Sequence, residues 1–105
     1  MTGRTSTGSE PAIEVTNHRE RLRYEITVDG ELAGIAQYAD HGGVRTFVHT
    51  EIDDRFEGMG LGSRLVREAL ADVRAHGKRI VAECPFVRSY VARHPEVADL
   101  LATGR

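Results

Sequence analysis

The alternation of apolar and polar residues predicts several short strands in the first half of the chain. Residues 13–17 alternate over one short edge strand, and residues 21–28 alternate again with Leu, Tyr, Ile and Val on one face. The Asp-Gly pair at 29–30 is a strong hairpin signal, so residues 31–38 are predicted as the partner strand. Short turns between strands indicate antiparallel pairing.

A fourth strand is predicted over residues 44–53, after a turn at residues 40–43. Successive side chains on a strand point to opposite faces. One face carries mostly apolar side chains and is interpreted as the core face: Val44, Thr46, Val48, Thr50 and Ile52. The other face carries Arg45, Phe47, His49, Glu51 and Asp53. His49 and Glu51 are therefore expected to project together, away from the core.

The second half of the chain has helical periodicity. Residues 61–76 place their apolar positions on one stripe, which predicts an amphipathic helix. Residues 79–82 form a short apolar run that predicts a buried strand, parallel to the fourth strand because a helical crossover joins the two. A helix is predicted from Pro85 to about Arg93, and a last short helix over 97–102. The predicted fold class is mixed α+β.

Length and charge narrow the class of protein. A chain of 105 residues predicts one domain, placed at residues 12–105, after a disordered tail at residues 1–11 rich in Thr, Gly and Ser. Fourteen basic and 16 acidic residues give a formal charge of -2. Nucleic-acid binding normally requires a basic excess, so no nucleic-acid partner is expected.

Cysteine and histidine usage argues against disulfides and metal sites. Cys84 is the single cysteine, so no internal disulfide can form and zinc sites built on several thiolates are excluded. The histidines show no metal-ligand spacing, and no metal is expected. No segment approaches the roughly 20 apolar residues of a membrane span, and the first residues lack the apolar core of a signal peptide. We therefore expect a cytoplasmic protein without a membrane partner.

Three alternating glycines lie between the fourth strand and the long helix. At Gly58, Gly60 and Gly62 the absence of side chains lets backbone N–H groups converge on an anion, and the helix dipole favours negative charge there. Arg55 and Arg64 can add charge-assisted hydrogen bonds. The alternative is that the glycines only form a loop. The pattern favours a phosphate-bearing ligand.

Two common nucleotide sites do not fit this turn. The P-loop requires Lys followed by Ser or Thr after its last glycine, whereas Gly60 and Gly62 are followed by Leu61 and Ser63. The dinucleotide fingerprint needs its third glycine one residue later than Gly62 and a sheet with more than one crossover.

The pattern Arg55-x-x-Gly58-x-Gly60 resembles the (Gln/Arg)-x-x-Gly-x-(Gly/Ala) acyl-CoA signature of the GNAT-type N-acetyltransferases. The order of elements resembles that fold too: antiparallel strands, signature turn, helix, parallel strand and C-terminal helix. The chain looks like the small single-domain acetyltransferase-like branch of this superfamily, and the resemblance covers residues 13–97. It rests on residues 48–52, 55–62, 83–90 and 94–96. The chain lacks the helices that follow the first strand in full-size members.

The resemblance implies a binding mode for acetyl-CoA as co-substrate. In GNAT folds the two parallel strands splay apart, and the pantetheine arm pairs with the first of them. Here that backbone would come from Thr50, Glu51 and Ile52. The diphosphate would be held by the amides of the glycine turn, at Met59, Gly60, Gly62 and Ser63.

The resemblance also implies candidate catalytic residues. In the small branch, the positions of His49 and Cys84 are proposed as the active pair. His49 is the first candidate general base, because an imidazole can take up a proton near neutrality, and Glu51 on the same face would orient or replace it. The alternatives are a histidine without a chemical role and a solvated carboxylate. Cys84 either carries the acyl group with His49 as its base or lies beside a direct attack by the amine. Many GNAT enzymes place a tyrosine at the position of Tyr90 as thiolate acid. Equally, Cys84 and Tyr90 fit ordinary core residues.

The leading hypothesis is therefore an acetyl-CoA-dependent N-acetyltransferase. The alternatives are a non-catalytic acyl-CoA-binding or sensing module, and a partner-binding domain without a nucleotide ligand. The acceptor remains open among small amines, polyamines, peptide N-termini and lysine side chains. The sequence predicts no oligomeric state.

Overall fold

The computed structural model describes residues 10–102. Most of the predicted tail, residues 1–9, lies outside the described residues, and the tail and domain boundary stay predictions. The described elements are β1 (Ile13–His18), β2 (Arg23–Val28), β3 (Glu31–His41), β4 (Val44–Ile52), α1 (Leu61–Ala75), β5 (Arg79–Ala82) and α2 (Pro85–Arg93). Short 3-10 turns cover Arg19–Arg21, Asp54–Phe56 and Pro95–Leu100.

The strands form one sheet in the order β1-β2-β3-β4-β5. The first four are antiparallel, and β5 is parallel to β4 as the crossover requires. The mixed α+β prediction is confirmed. The last predicted short helix, over 97–102, is found two residues earlier in the chain. Pro95–Leu100 is a 3-10 helix, after which Leu101 forms a parallel bridge to Ile80 at the edge of the sheet.

The core lies between the sheet and the helices. α1 lies across one face of the sheet and buries the apolar stripe that the sequence predicts: Leu61, Leu65, Val66, Ala69, Leu70 and Val73. α2 packs beside α1 and buries Val87, Tyr90 and Val91. Each fully buried aliphatic side chain contributes about 1.5–3 kcal/mol. None of the described helices lies on the opposite face of the sheet, where His49 and Glu51 are exposed.

A bulge divides β4 and corrects the predicted core face. Tyr38 pairs with Phe47 and Gln37 pairs with His49, so Val48 is an extra residue without a partner on β3. The extra residue shifts the alternation of side chains by one position. Before the bulge Arg45 and Phe47 are buried, and the prediction that Val44, Thr46 and Val48 face the core is wrong. After the bulge Thr50 shares the α1 face with its partner Ala36, as predicted.

The buried Arg45 is held by a polar network on the α1 face. Its guanidinium donates to both carboxylate oxygens of Asp40, at 2.8 and 2.9 Å, and to the Tyr24 hydroxyl at 2.7 Å. The same guanidinium lies 4.1 Å from the centroid of the Tyr38 ring. Tyr24 donates in turn to Asp72 of α1 at 2.7 Å. These partners compensate the desolvation of a charge that the sequence pattern places outside the core.

Among residues 10–102, none of the helices combines the length and the apolarity that a bilayer crossing requires.

Candidate functional site

The parallel strands pair only over the first half of β4. Val44, Arg45, Thr46 and Phe47 are matched by β5, and the Phe47 carbonyl accepts from the amides of Glu83 at 3.0 Å and Cys84 at 2.9 Å. Beyond that point residues 49–52 pair with β3 alone among the described strands. We call the gap between residues 48–52 of β4 and the start of α2 at Cys84 the slot. The prediction of splayed parallel strands is confirmed.

The glycine turn begins where the slot ends. Asp53 caps the 3-10 turn by accepting from the Arg55 amide at 2.9 Å. Gly58 and Gly60 have φ of 87° and 74°, a left-handed conformation that favours glycine. A Cβ at either position meets no atom within 4 Å, so both glycines border open space.

The N-terminus of α1 opens into the same space. No side chain caps this terminus, and its first turn contains no acidic residue. The first hydrogen bond of the helix runs from the Arg64 amide to the Gly60 carbonyl, so the preceding amides are left for another acceptor. Together with the helix dipole, these amides form a site with the chemistry of a phosphate cradle.

Gly62 serves a different purpose from the other two glycines. A Cβ at Gly62 would lie 2.7 Å from Cζ of Phe86, so the missing side chain makes room for that ring. Phe86 lies in the first turn of α2 and remains 39% exposed. The first turns of α1 and α2 therefore meet at the mouth of the slot. Sequence reasoning missed Phe86, because an aromatic residue carries no signal of such a contact.

The guanidinium groups of both candidate arginines are paired with carboxylates. Arg55 donates to Glu31 at 2.7 Å and to the two oxygens of Asp53 at 3.3 Å. Arg64 donates to Glu68 at 2.9 Å, one turn along α1. The Arg64 guanidinium also lies within 3.5 Å of the Ile13 carbonyl, so the backbone amides are the groups that the turn itself presents to an anion.

His49 and Glu51 lie together on the exposed face of β4. His49 Nε2 is 3.3 Å from Glu51 Oε1, and the two side chains are 54% and 68% exposed. Their spacing of two residues puts both on one face, as the sequence predicts. An exposed imidazole paired with a carboxylate suits a group that takes a proton from an approaching molecule.

Cys84 lies on the other side of the slot. It is 3% exposed, forms the N-cap of α2, and donates its thiol proton to Thr50 Oγ1 at 3.3 Å. Burial raises the pKa of the thiol, but the Thr50 hydroxyl and the amides of Val87 and Phe86 outweigh it, so the pKa is lowered overall. The sequence assigned only the backbone of Thr50 a role and missed its hydroxyl.

The structure separates the predicted pair His49 and Cys84. Within residues 10–102 no hydrogen bond joins them, because His49 and its neighbour Thr50 point to opposite faces of β4 and Cys84 contacts Thr50. The two residues lie on either side of the same strand.

Tyr90 lies away from the slot. It is 3% exposed, and its ring stacks on His94 with centroids 3.8 Å apart. It borders a groove of about 750 Å³ between α1 and α2, together with Ser63 and Arg67. Burial raises the pKa of its hydroxyl. The role of Tyr90 as thiolate acid stays a prediction.

No group of three or more His, Cys, Asp or Glu side chains in the described part of the chain is arranged to hold a metal ion.

The fold and the slot define an acyltransferase-like α+β domain with splayed parallel strands. The family model described as GCN5-related N-acetyl-transferase matches residues 23–100. The chain therefore belongs to the GCN5-related N-acetyltransferase family, and by family and fold it is an N-acetyltransferase.

A solved structure shares this fold. The NMR solution structure of a Staphylococcus aureus protein, provisionally assigned as a GCN5-like N-acetyltransferase, aligns with a TM-score of 0.67 at 18% identity. The alignment covers 88% of this chain and 90% of that chain. At this identity the similarity concerns the fold. No curated protein sequence matches the chain.

Proposed function

We propose that the protein transfers the acetyl group of acetyl-CoA to an amine. The observation that carries this proposal is the slot, which opens the edge of β4 and runs directly into the glycine turn. These two adjoining features fit a ligand with two parts: an extended chain that can pair with a strand edge, and a diphosphate that the turn can bind.

The residues present fit acetyl-CoA. Among the described residues, Thr50, Glu51 and Ile52 have no strand partner on the slot side, so we assign this edge of β4 to the pantetheine amides, next to the Thr50 amide that faces the Cys84 sulfur. The open space at Gly58 and Gly60 leaves room for a diphosphate against the backbone. The amides assigned to it are those of Met59, Gly60, Gly62 and Ser63, with Arg55 and Arg64 as nearby positive charges.

We propose direct attack by the amine from the exposed face of β4. His49 takes the proton released as the amine nitrogen bonds to the acetyl carbon, and Glu51 orients the imidazole. The carbon–sulfur bond then breaks, and the Cys84 thiol gives its proton to the departing thiolate. Cys84 regains a proton from solvent. Direct attack is favoured over acylation of Cys84, because the base His49 is 54% exposed on the opposite face of β4, where it meets an incoming amine and not the Cys84 thiol.

The test follows free CoA released from acetyl-CoA in the presence of a panel of amines. We expect His49→Gln to lower kcat by about a hundredfold or more without weakening CoA binding. The matched control is His41→Gln, an exposed histidine at the end of β3, which should keep full activity.

Two outcomes would overturn parts of this proposal. CoA binding without turnover, unchanged by His49→Gln or Cys84→Ala, would identify a non-catalytic acyl-CoA-binding module. A Cys84 side chain that gains the mass of one acetyl group when acetyl-CoA is added without an amine would replace direct attack by a covalent route.

A further inference from the structure

The Thr50 hydroxyl is the polar side-chain group that meets the Cys84 sulfur. The two residues belong to the separated parts of the parallel pair: Thr50 lies past the bulge in β4, and Cys84 begins α2. Their side chains nevertheless approach to 3.3 Å between Sγ and Oγ1. The contact bridges the slot on the α1 face, opposite His49.

We infer that Thr50 is a positioning residue: its hydroxyl fixes the Cys84 sulfur at the inner wall of the slot and stabilises the thiolate form. The inference rests on the proposed function only for the step in which Cys84 gives its proton to the departing thiolate.

A hydroxyl suits this role because it can both accept and donate. When Cys84 is a thiol, its proton is donated to Thr50 Oγ1. When Cys84 is a thiolate, the Thr50 hydroxyl turns and donates to the sulfur. A hydrogen bond to the charged form is stronger than one to the neutral form, so the contact favours ionisation.

The surroundings of the sulfur offer few competing charges. On its own segment Glu83 is exposed, and on α2 the Arg88 guanidinium is directed to the carbonyls of Ala82 and Glu83. On β4 the charged or titratable neighbours His49 and Glu51 lie on the opposite face. The buried side chains of α1 are all apolar. Besides the Thr50 hydroxyl, the backbone amides of Val87, Phe86 and Thr50 itself lower the pKa of Cys84, and all three remain in a Thr50→Val variant.

The experiment titrates Cys84 directly in the full-length protein. Cys84 is the single cysteine, so the ultraviolet absorbance of its thiolate, after subtraction of Cys84→Ala, reports its pKa without acetyl-CoA or an amine. We expect Thr50→Val to raise this pKa and Thr50→Ser to restore it. The matched control, Thr46→Val, makes the same substitution on the other face of β4 and should leave the pKa unchanged.

The rate of acetyl transfer gives an independent reading. Thr50→Val should lower kcat about tenfold at neutral pH, and Thr50→Ser should recover most of it. An unchanged Cys84 pKa in Thr50→Val, or a Thr50→Ser variant that behaves like Thr50→Val, would overturn the inference. If Thr50→Val does not fold, Thr50→Ala serves the same test.

The two proposals fail in different ways. A raised pKa in Thr50→Val, in a protein that acetylates no amine, would reject the proposed function and keep the role of Thr50. Normal turnover in Thr50→Val, with an unshifted Cys84 pKa, would reject the role of Thr50 and keep the proposed function.

Discussion

The two halves of β4 differ in pairing and in burial. Residues 44–47 are paired on both sides, with β3 and β5, and they bury Arg45 and Phe47 under α1. Residues 49–52 are paired on one side only and leave the side chains of His49 and Glu51 exposed. We call residues 44–47 the closed half of β4 and residues 49–52 the open half. One extra residue, Val48, separates them.

The strand β4 contributes to stability through one half and to ligand binding through the other. Backbone groups on an open strand edge need a partner, which solvent or a ligand must supply. The closed half holds the open half in place, since Phe47 packs among aromatic rings and its carbonyl anchors the start of α2. A site held in this way is positioned by rigid elements instead of by a loop.

The largest loss of stability is expected from a substitution in the closed half of β4. Phe47 is 1% exposed and lies 6.0 Å from Tyr24 and 6.2 Å from Tyr38, measured between ring centroids. Phe47→Ala should lower the free energy of unfolding by about 3–5 kcal/mol through cavity formation, measured by urea denaturation. The adjacent Val48→Ala, at a residue 44% exposed, should cost less than about 0.5 kcal/mol. Equal costs for the two variants would contradict the division of β4.

The next effect concerns the turn at the end of the open half. Gly60→Val should weaken CoA binding more than about tenfold, because a branched side chain enters the space where amides face the ligand and the φ of 74° is strained for valine. Isothermal titration with CoA measures the loss. Gly42→Val is the control: Gly42 has a φ of 52° and open surroundings in the β3–β4 turn. It carries a similar strain and should bind CoA normally. Normal binding by Gly60→Val would show that CoA lies elsewhere.

A smaller effect depends on pH and again belongs to the closed half. Hydrogen bonds from Arg45 hold the pKa of Asp40 below its ordinary value of 3.8. A lowered folded pKa stabilises the protein above the unfolded value, and that contribution is lost as pH falls through the folded one. Asp40→Asn should therefore cost about 1 kcal/mol at neutral pH, reduced by solvent because the Asp40 side chain is 35% exposed.

Urea denaturation at a series of pH values measures this prediction. The difference between Asp40→Asn and the native protein should shrink as the pH falls below about 4, where the Asp40 carboxylate of the unfolded chain takes up a proton, and it should be lost at the lower pH where the native carboxylate is protonated too. Glu51→Gln, in the open half, should leave stability at neutral pH nearly unchanged. A difference between Asp40→Asn and the native protein that is constant at all pH values would show that the Asp40 charge does not stabilise the fold.

The sequence by itself determined the elements and the location of the turn. The stripe of α1, the order of strands and the parallel pairing of β4 with β5 all follow from periodicity and from the geometry of a crossover, which are local properties. The left-handed backbone at Gly58 and Gly60 was not predicted and is a finding of the structure. The cytoplasmic location and the catalytic roles remain predictions.

Tertiary structure decided which side chains meet. Alternation along β4 predicted the wrong core face before Val48, because a bulge arises from pairing with a partner strand and leaves no trace in the spacing of one strand. The burial of Arg45, the ring of Phe86 over Gly62 and the contact between Thr50 and Cys84 join residues far apart in the chain. Such contacts depend on how packed elements are placed in three dimensions, and the local pattern of residues does not encode that placement.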